Sequence, residues 1–170
     1  MTVARQSLIY IFRDDPAEHE GGTVSRQVLL GEKLRGFGRG KIVGPGGHVE
    51  AGETDAEAAI RELAEETGVI ASPDAVDRVA TLRFRFPYDP SSDADVAVFL
   101  VADWSGSPAD SDELTVRWYD VDTIPLDRMW DDDRYWLPRV LAGERLTADF
   151  SYDQSGVLVV DHDIRAIAQP

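Results

Sequence analysis

Cysteine is absent from the 170 residues, so neither a disulfide framework nor a thiolate metal site is available to this chain. Lysine is nearly absent as well. Only 2 of the 17 basic residues are Lys, against 32 acidic residues, and the formal charge is −15. A protein that grips nucleic-acid backbones needs a basic footprint, so no DNA or RNA polymer is expected as a partner. The same charge repels an anionic substrate unless a cation intervenes. No apolar run is long enough to span a membrane, and none near the N-terminus suits a signal segment. A soluble cytoplasmic protein without a membrane partner is therefore expected. The excess of Asp and Arg fits salt adaptation and codon bias equally and separates neither. Hydrophobic content of 43% and charged content of 29% are ordinary for a globular chain. The length suits one domain, 1–170, with a sizeable core.

The chain is organised around residues 47–69, GHVEAGETDAEAAIRELAEETGV. Thr54 with Glu57 three residues later forms a capping box. Ala, Leu and Glu fill the interior as strong helix formers, and Gly68 suits the left-handed stop. At about 100° per residue, Ala56, Ile60, Leu63 and Thr67 share one face. Glu62, Glu65 and Glu66 are expected on the opposite side, outside the core. The plainer explanation of such a run is a solvated acidic face. Like charges at i, i+4 repel, however, and acids late in a helix oppose its dipole. A bound cation relieves both, and oxygen-only clusters suit Mg²⁺ or Mn²⁺.

This stretch resembles the signature of the Nudix hydrolases, G-x5-E-x7-R-E-U-x-E-E-x-G-U, with U aliphatic. Gly47, Glu53, Arg61, Glu62, Leu63, Glu65, Glu66, Gly68 and Val69 fill every fixed position. The resemblance implies hydrolysis of a nucleoside diphosphate linked to another group, with Mg²⁺ on the helix carboxylates. It further implies that Arg61 orients the glutamates, that the Gly47 carbonyl lies beside the metal, and that Glu53 holds the loop. Glu62, Glu65, Glu66 and Glu113 become the expected metal ligands, with Glu66 or Glu113 as the base.

Three further stretches resemble the branch acting on oxidised purine nucleoside triphosphates such as 8-oxo-dGTP. They are residues 28–40 (VLLGEKLRGFGRG), Asp112-Glu113 with Trp118 and Ile124-Pro125, and residues 129–136 (MWDDDRYW). By that resemblance Trp130 stacks on the base and Asp132 and Asp133 bond its edge. Phe37 and Phe84 wall the pocket, Ser7 occupies a small-hydroxyl position, and Lys33 in the basic glycine-rich loop contacts substrate. Two close carboxylates in an apolar pocket do not both ionise cheaply. One would then donate and one accept. The competing explanation is that residues 131–133 cap the next helix. Three positions depart from the branch: Val43 replaces a base-binding asparagine, Ala94 a methionine and His48 a lysine. The products implied are a nucleoside monophosphate and pyrophosphate. The alternatives are another nucleoside diphosphate derivative, such as ADP-ribose or a dinucleotide polyphosphate, or a nucleotide-sensing module without turnover.

Along the chain, strands are expected at residues 7–12, 24–30, 80–86, 95–102, 116–121, 146–152 and 157–161, from apolar runs or period-two alternation. Residues 13–22 read as a loop, and 131–141 as a second helix containing Pro138. Strands with two helices indicate an α/β fold. The resemblance makes this a Nudix-type α/β/α sandwich, with a mixed sheet between helices.

Overall fold

The computed structural model describes residues 2–15 and 25–169. Most of the expected 13–22 loop, and Val24 at the start of the second strand, lie outside them.

Strand β1, Ala4–Asp14, is the spine. Its side chains alternate between two cores, as the pleat requires. Ile9 and Ile11 face one cluster, Tyr10 and Phe12 the other. Helix α1, Asp55–Thr67, covers the first face with Ala59 and Leu63. Helix α2, Asp133–Leu141, covers the second with Trp136, Leu137 and Val140. A sheet buried on both faces between helices is the sandwich expected.

The remaining strands are β2 (Arg26–Lys33), β3 (Ile42–Val43), β4 (Gly46–His48), β5 (Ile70–Ala71), β6 (Val76–Arg85), β7 (Ala94–Val101), β8 (Trp104–Ser105), β9 (Leu114–Asp120), β10 (Leu146–Tyr152) and β11 (Val159–Ala166). Nine form one sheet along β11-β10-β6-β7-β1-β2-β3, with β4 against β1 and β9 against β2. The pairs β1–β7 and β6–β10 are parallel and the others antiparallel, so the sheet is mixed. β1 changes partner along its length. Residues 6–8 pair with β4, and residues 12–14 pair with β2. Residues 9–11, between them, are in register with neither strand.

Several boundaries differ from expectation: β1 starts at Ala4 rather than residue 7 and takes in residues 13 and 14 of the expected loop, β2 runs to Lys33 rather than residue 30, and β6 starts at Val76 rather than residue 80. β11 begins at Val159 rather than residue 157, because Asp153 accepts bonds from the N–H groups of Val157 and Leu158 at 3.2 and 3.3 Å and extends the turn. Helix α2 begins at Asp133 rather than at 131, since Asp131 and Asp132 direct their carboxylates to other partners. The short pair β5–β8 has no clear alternation in the sequence and was not expected.

Candidate active site

The capping box of α1 is formed. Thr54 Oγ1 accepts from the Glu57 N–H at 3.1 Å, and the Glu57 carboxylate accepts from the Thr54 N–H at 2.8 Å. Gly68 ends the helix at φ 77°. Ala59, Leu63 and Glu66 stand at i, i+4 and i+7 and share one stripe. Glu66 is thereby carried to the core side, where it is 5% exposed. This corrects the expectation that all three glutamates stand outside the core. Glu65, one residue further round, is the outward one. Its side chain is 59% exposed and meets Arg61 at 3.3 Å.

Arg61 clips the helix to the preceding loop. It donates to Glu53 at 2.6 and 3.0 Å, to the His48 carbonyl at 3.0 Å and to Glu62 at 3.0 Å. Glu53 also accepts from the Glu50 N–H at 3.0 Å. The Arg61 bonds, aided by that N–H, hold the Glu53 carboxyl down to about 2.

Three carboxylates converge beside this clip. Glu62, Glu66 and Glu113 each offer an oxygen, and these oxygens all lie within 4.8 Å of one another. Glu113 comes from the turn before β9, and Glu65 is not among the three. Burial, with repulsion from Glu62 and Glu113, pushes Glu66 up to about 8, although the Gly46 N–H donates to it at 2.8 Å. Burial also raises Glu62. Gly47 keeps the space in front of them open, since a Cβ there would lie 2.5 Å from the Glu62 Cδ. Clustered hard oxygens, destabilised as anions and facing a cradle without side chain, fit a hard divalent cation. Arg35 meets Glu113 at 2.9 Å, with both side chains about half exposed.

The carboxylates open into a cavity of about 610 Å³. Ser7, Lys33, Phe37, Val43 and Phe84 line it, as do Trp130, Asp132 and Asp133. His48 and Ala94 line it too. Ser7 is buried, and its hydroxyl has no partner among the described residues. Phe84 stacks on Phe150 at 5.6 Å. Phe37 is 62% exposed and lies 5.0 Å from the Trp130 ring, over which Lys41 Nζ also sits at 4.8 Å.

The three aspartates have different partners. Asp131 accepts from the Val159 N–H at 2.8 Å and pairs with Arg134 at 2.8 Å. Asp132, at the N-cap position with helical dihedrals, makes no capping bond. Its two oxygens accept instead from the Tyr152 hydroxyl and from Trp136 Nε1, the latter at 2.7 Å. The Asp133 N–H donates to the Trp130 carbonyl at 3.1 Å. Its carboxyl lines the cavity with no side-chain donor among the described residues, only the Trp130 backbone and the Lys41 charge opposing its rise. Helix capping is therefore not what these carboxyls do. Burial raises both Asp132 and Asp133, and their mutual repulsion adds to the rise of Asp133. Asp132 reaches about 6, restrained by the Tyr152 and Trp136 bonds.

Sequence reasoning missed Tyr152, Tyr10 and Phe86, which also line the cavity. For Tyr152 the signal was available. It ends a strand whose alternate residues Leu146, Ala148 and Phe150 are apolar, and a phenol on a buried face needs a partner.

A model of the NUDIX domain family matches residues 9–140. The chain belongs to the Nudix family. Among curated proteins, this Nudix chain is 40% identical to the oxidized purine nucleoside triphosphate hydrolase of Danio rerio over 138 residues, 81% of this chain and 86% of the relative. It is 39% identical to the protein of the same name from Mus musculus over 134 residues, 78% and 84% of the two chains. Among solved structures, a mutator MutT protein from Bacillus halodurans superposes with a TM-score of 0.73 at 24% identity. That match covers 95% of this chain and 97% of the other, and bears on the fold alone. Nudix hydrolases use a divalent metal, and Glu62, Glu66 and Glu113 form an acidic group, with Glu66 buried, able to hold one.

Proposed function

We propose that this Nudix chain hydrolyses oxidised purine nucleoside triphosphates, 8-oxo-dGTP among them, to the nucleoside monophosphate and pyrophosphate. One observation carries the reading: a single cavity joins the carboxylate group to a ring-walled end holding two buried aspartates. A triphosphate and a purine base need those two ends. Mg²⁺ is the proposed cation, held by Glu62, Glu66 and Glu113. When bound, it supplies neutralisation of triphosphate charge and a lowered pKa for coordinated water.

The chain's own residues do the rest. Lys33 and Arg35 stand at the shared boundary of the two ends, placed to meet phosphate oxygens. Arg61 and Glu53 hold the helix and loop in register, so the carboxylates keep their spacing. Glu113, less enclosed than Glu66, is the proposed proton acceptor from the attacking water. Glu66 is the more deeply held ligand, fixed by the Gly46 N–H. Glu65 acts only through Arg61. Trp130 supplies the base-stacking surface, and Phe37 and Phe84 exclude water. Asp132 and Asp133 meet the base edge, with Val43 and Ala94 leaving it more room than larger side chains would. The proposed substrates are free nucleotides of the cytoplasm, and the whole chain serves as one catalytic domain.

A panel of nucleotides assayed for pyrophosphate against phosphate release tests the reading. The expected result is pyrophosphate with a preference for 8-oxo-dGTP over dGTP. Primary release of inorganic phosphate, or preferred turnover of ADP-ribose or a dinucleotide polyphosphate, would refute it.

A further inference from the structure

Tyr152 lies at the end of β10, 20 residues from Asp132 in the chain, and is 1% exposed. Its hydroxyl accepts from the Asp132 backbone N–H at 3.3 Å. The phenol hydrogen is thereby directed at Asp132 Oδ1, to which it donates. Trp136 Nε1, which can only donate, takes Oδ2 at 2.7 Å. Both oxygens of Asp132 therefore face donors, and a proton on either would be set against one of them. Asp133 is the reverse case. It is 5% exposed, opens on the cavity, and is met by the Trp130 backbone alone, with no side-chain donor to its carboxyl among the described residues. A second buried anion there would be poorly compensated beside the first, with one backbone contact against two side-chain donors.

We infer that Tyr152 is a specificity-determining positioning residue: with Trp136 it holds Asp132 as the carboxylate, so that the pair's proton stays on Asp133. The pocket then offers one fixed donor and one fixed acceptor. The inference rests on the purine triphosphate reading and deepens it. A six-oxo purine presents an acceptor at C6 beside a donor at N1, and a six-amino purine presents the two in reverse order. A pair with its proton fixed distinguishes them. A pair whose proton can change places fits both.

The other ionisable groups facing the pair are few. Tyr10 approaches from β1, and its own phenol is raised first by burial and then by both aspartates. Lys41, before β3, opposes the rise of Asp133. Asp131 adds to the rise of Asp132 and is itself paired with Arg134. The depression of Asp132 by its Tyr152 and Trp136 bonds, relative to what burial alone imposes, agrees with the assignment.

The test uses Tyr152→Phe, which removes one oxygen and keeps the ring stacked on Phe86 at 4.8 Å, with thermal melting to confirm the fold. kcat/KM is measured against pH for 8-oxo-dGTP and 8-oxo-dATP. Losing a bond to a charged acceptor should move the acid limb upward by about one pH unit. It should also shrink the preference between the two substrates about tenfold. A merely structural Tyr152 would lower both substrates together and leave the limb in place, and that result would overturn the inference.

Two further variants separate the acids. Asp133→Asn keeps a donor and should retain at least about tenfold more activity than Asp132→Asn, which loses the clamped anion. The opposite order would refute the proton's placement. Infrared spectroscopy of the ligand-free protein at neutral pH gives a readout independent of turnover. The protonated-carboxyl band assigned to the pair should vanish in Asp133→Asn, and its persistence would also overturn the inference. If the band behaves as expected while no purine triphosphate is hydrolysed, the functional reading fails and the proton's placement stands.

Discussion

Replacing Glu66 by Gln in metal-free protein should stabilise the fold while removing turnover. Glu66 is 5% exposed and burial pushes its carboxyl from 4.5 up to about 8. An acid raised in this way favours the folded state fully below its ordinary pKa, and that advantage is lost as the pH climbs through the folded value. Neutral pH lies about two and a half units above the ordinary value, and each unit is worth about 1.4 kcal/mol. At pH 7 the fold therefore keeps Glu66 largely protonated while the unfolded chain ionises it, and without a cation this proton uptake costs the fold about 3 kcal/mol. Gln keeps an oxygen for the Gly46 N–H, but its amide hydrogens meet carboxylates and space rather than water, which returns about 1–2 kcal/mol of the gain. A net gain of about 1–2 kcal/mol corresponds to about 3–6 °C in a chain of this size. The assay is thermal unfolding in EDTA from pH 5 to pH 8.5, for wild type and Glu66→Gln. The variant should melt level with or slightly below the wild type near pH 5 and rise above it with increasing pH, with saturating Mg²⁺ restoring the wild type and hardly moving the variant. Equal stabilities across the range, or a gap widest at pH 5, would refute the reasoning. Turnover by the variant should fall at least about 10²-fold, the scale of losing a principal electrostatic contact.

Gly47→Ala should force the Glu62 carboxylate aside, because its Cβ would come 2.5 Å from the Glu62 Cδ. A fall of about tenfold or more in kcat/KM, with a raised Mg²⁺ requirement in titration, is expected. Trp130→Ala should raise KM by about one to two orders of magnitude with a smaller change in kcat, since base stacking on an aromatic is worth about 1–3 kcal/mol; steady-state kinetics with 8-oxo-dGTP decides it. Val43→Asn adds a donor and an acceptor to the cavity wall and should raise kcat/KM for six-oxo purines by about threefold to tenfold relative to six-amino purines, measured by direct competition.

The metal end was legible in the sequence because its information is local. A capping box, a glycine stop and fixed spacing within about two dozen residues specify a helix and the direction of its glutamates. The expected face does meet the core, Leu63 and Thr67 fully buried and Ala56 and Ile60 packed against it, but the buried arc is wider and takes in Ala59 and Glu66. A carboxylate can take a core position when the cavity beyond it is polar, and apolar patterning does not register that. The base-facing end was legible only by resemblance, because its bonds connect distant elements. The clamp on Asp132 joins α2 to β10, and the run of three aspartates resembles a helix cap until the partners of each are known. The sandwich followed from apolar runs, whereas β5–β8 and the late start of β11 depended on pairing and turn bonds without a period-two pattern.

The parallel pairing of β10 with β6 sets the order in which a growing chain acquires its chemistry. β10 contacts β6 across about 66 residues of sequence, Arg83 meeting Asp149, and such non-local contacts form late. Synthesis proceeds from the N-terminus. A ribosome that has released β9 has already supplied Glu62, Glu66 and Glu113, but not Trp130, Asp132, Asp133 or Tyr152. On the proposed reading, the residues that collect a cation thus precede those that discriminate between bases. A chain truncated between the two would be a hydrolase fragment without a reader, and its sheet would end on the exposed edge of β6, where β10 should have paired.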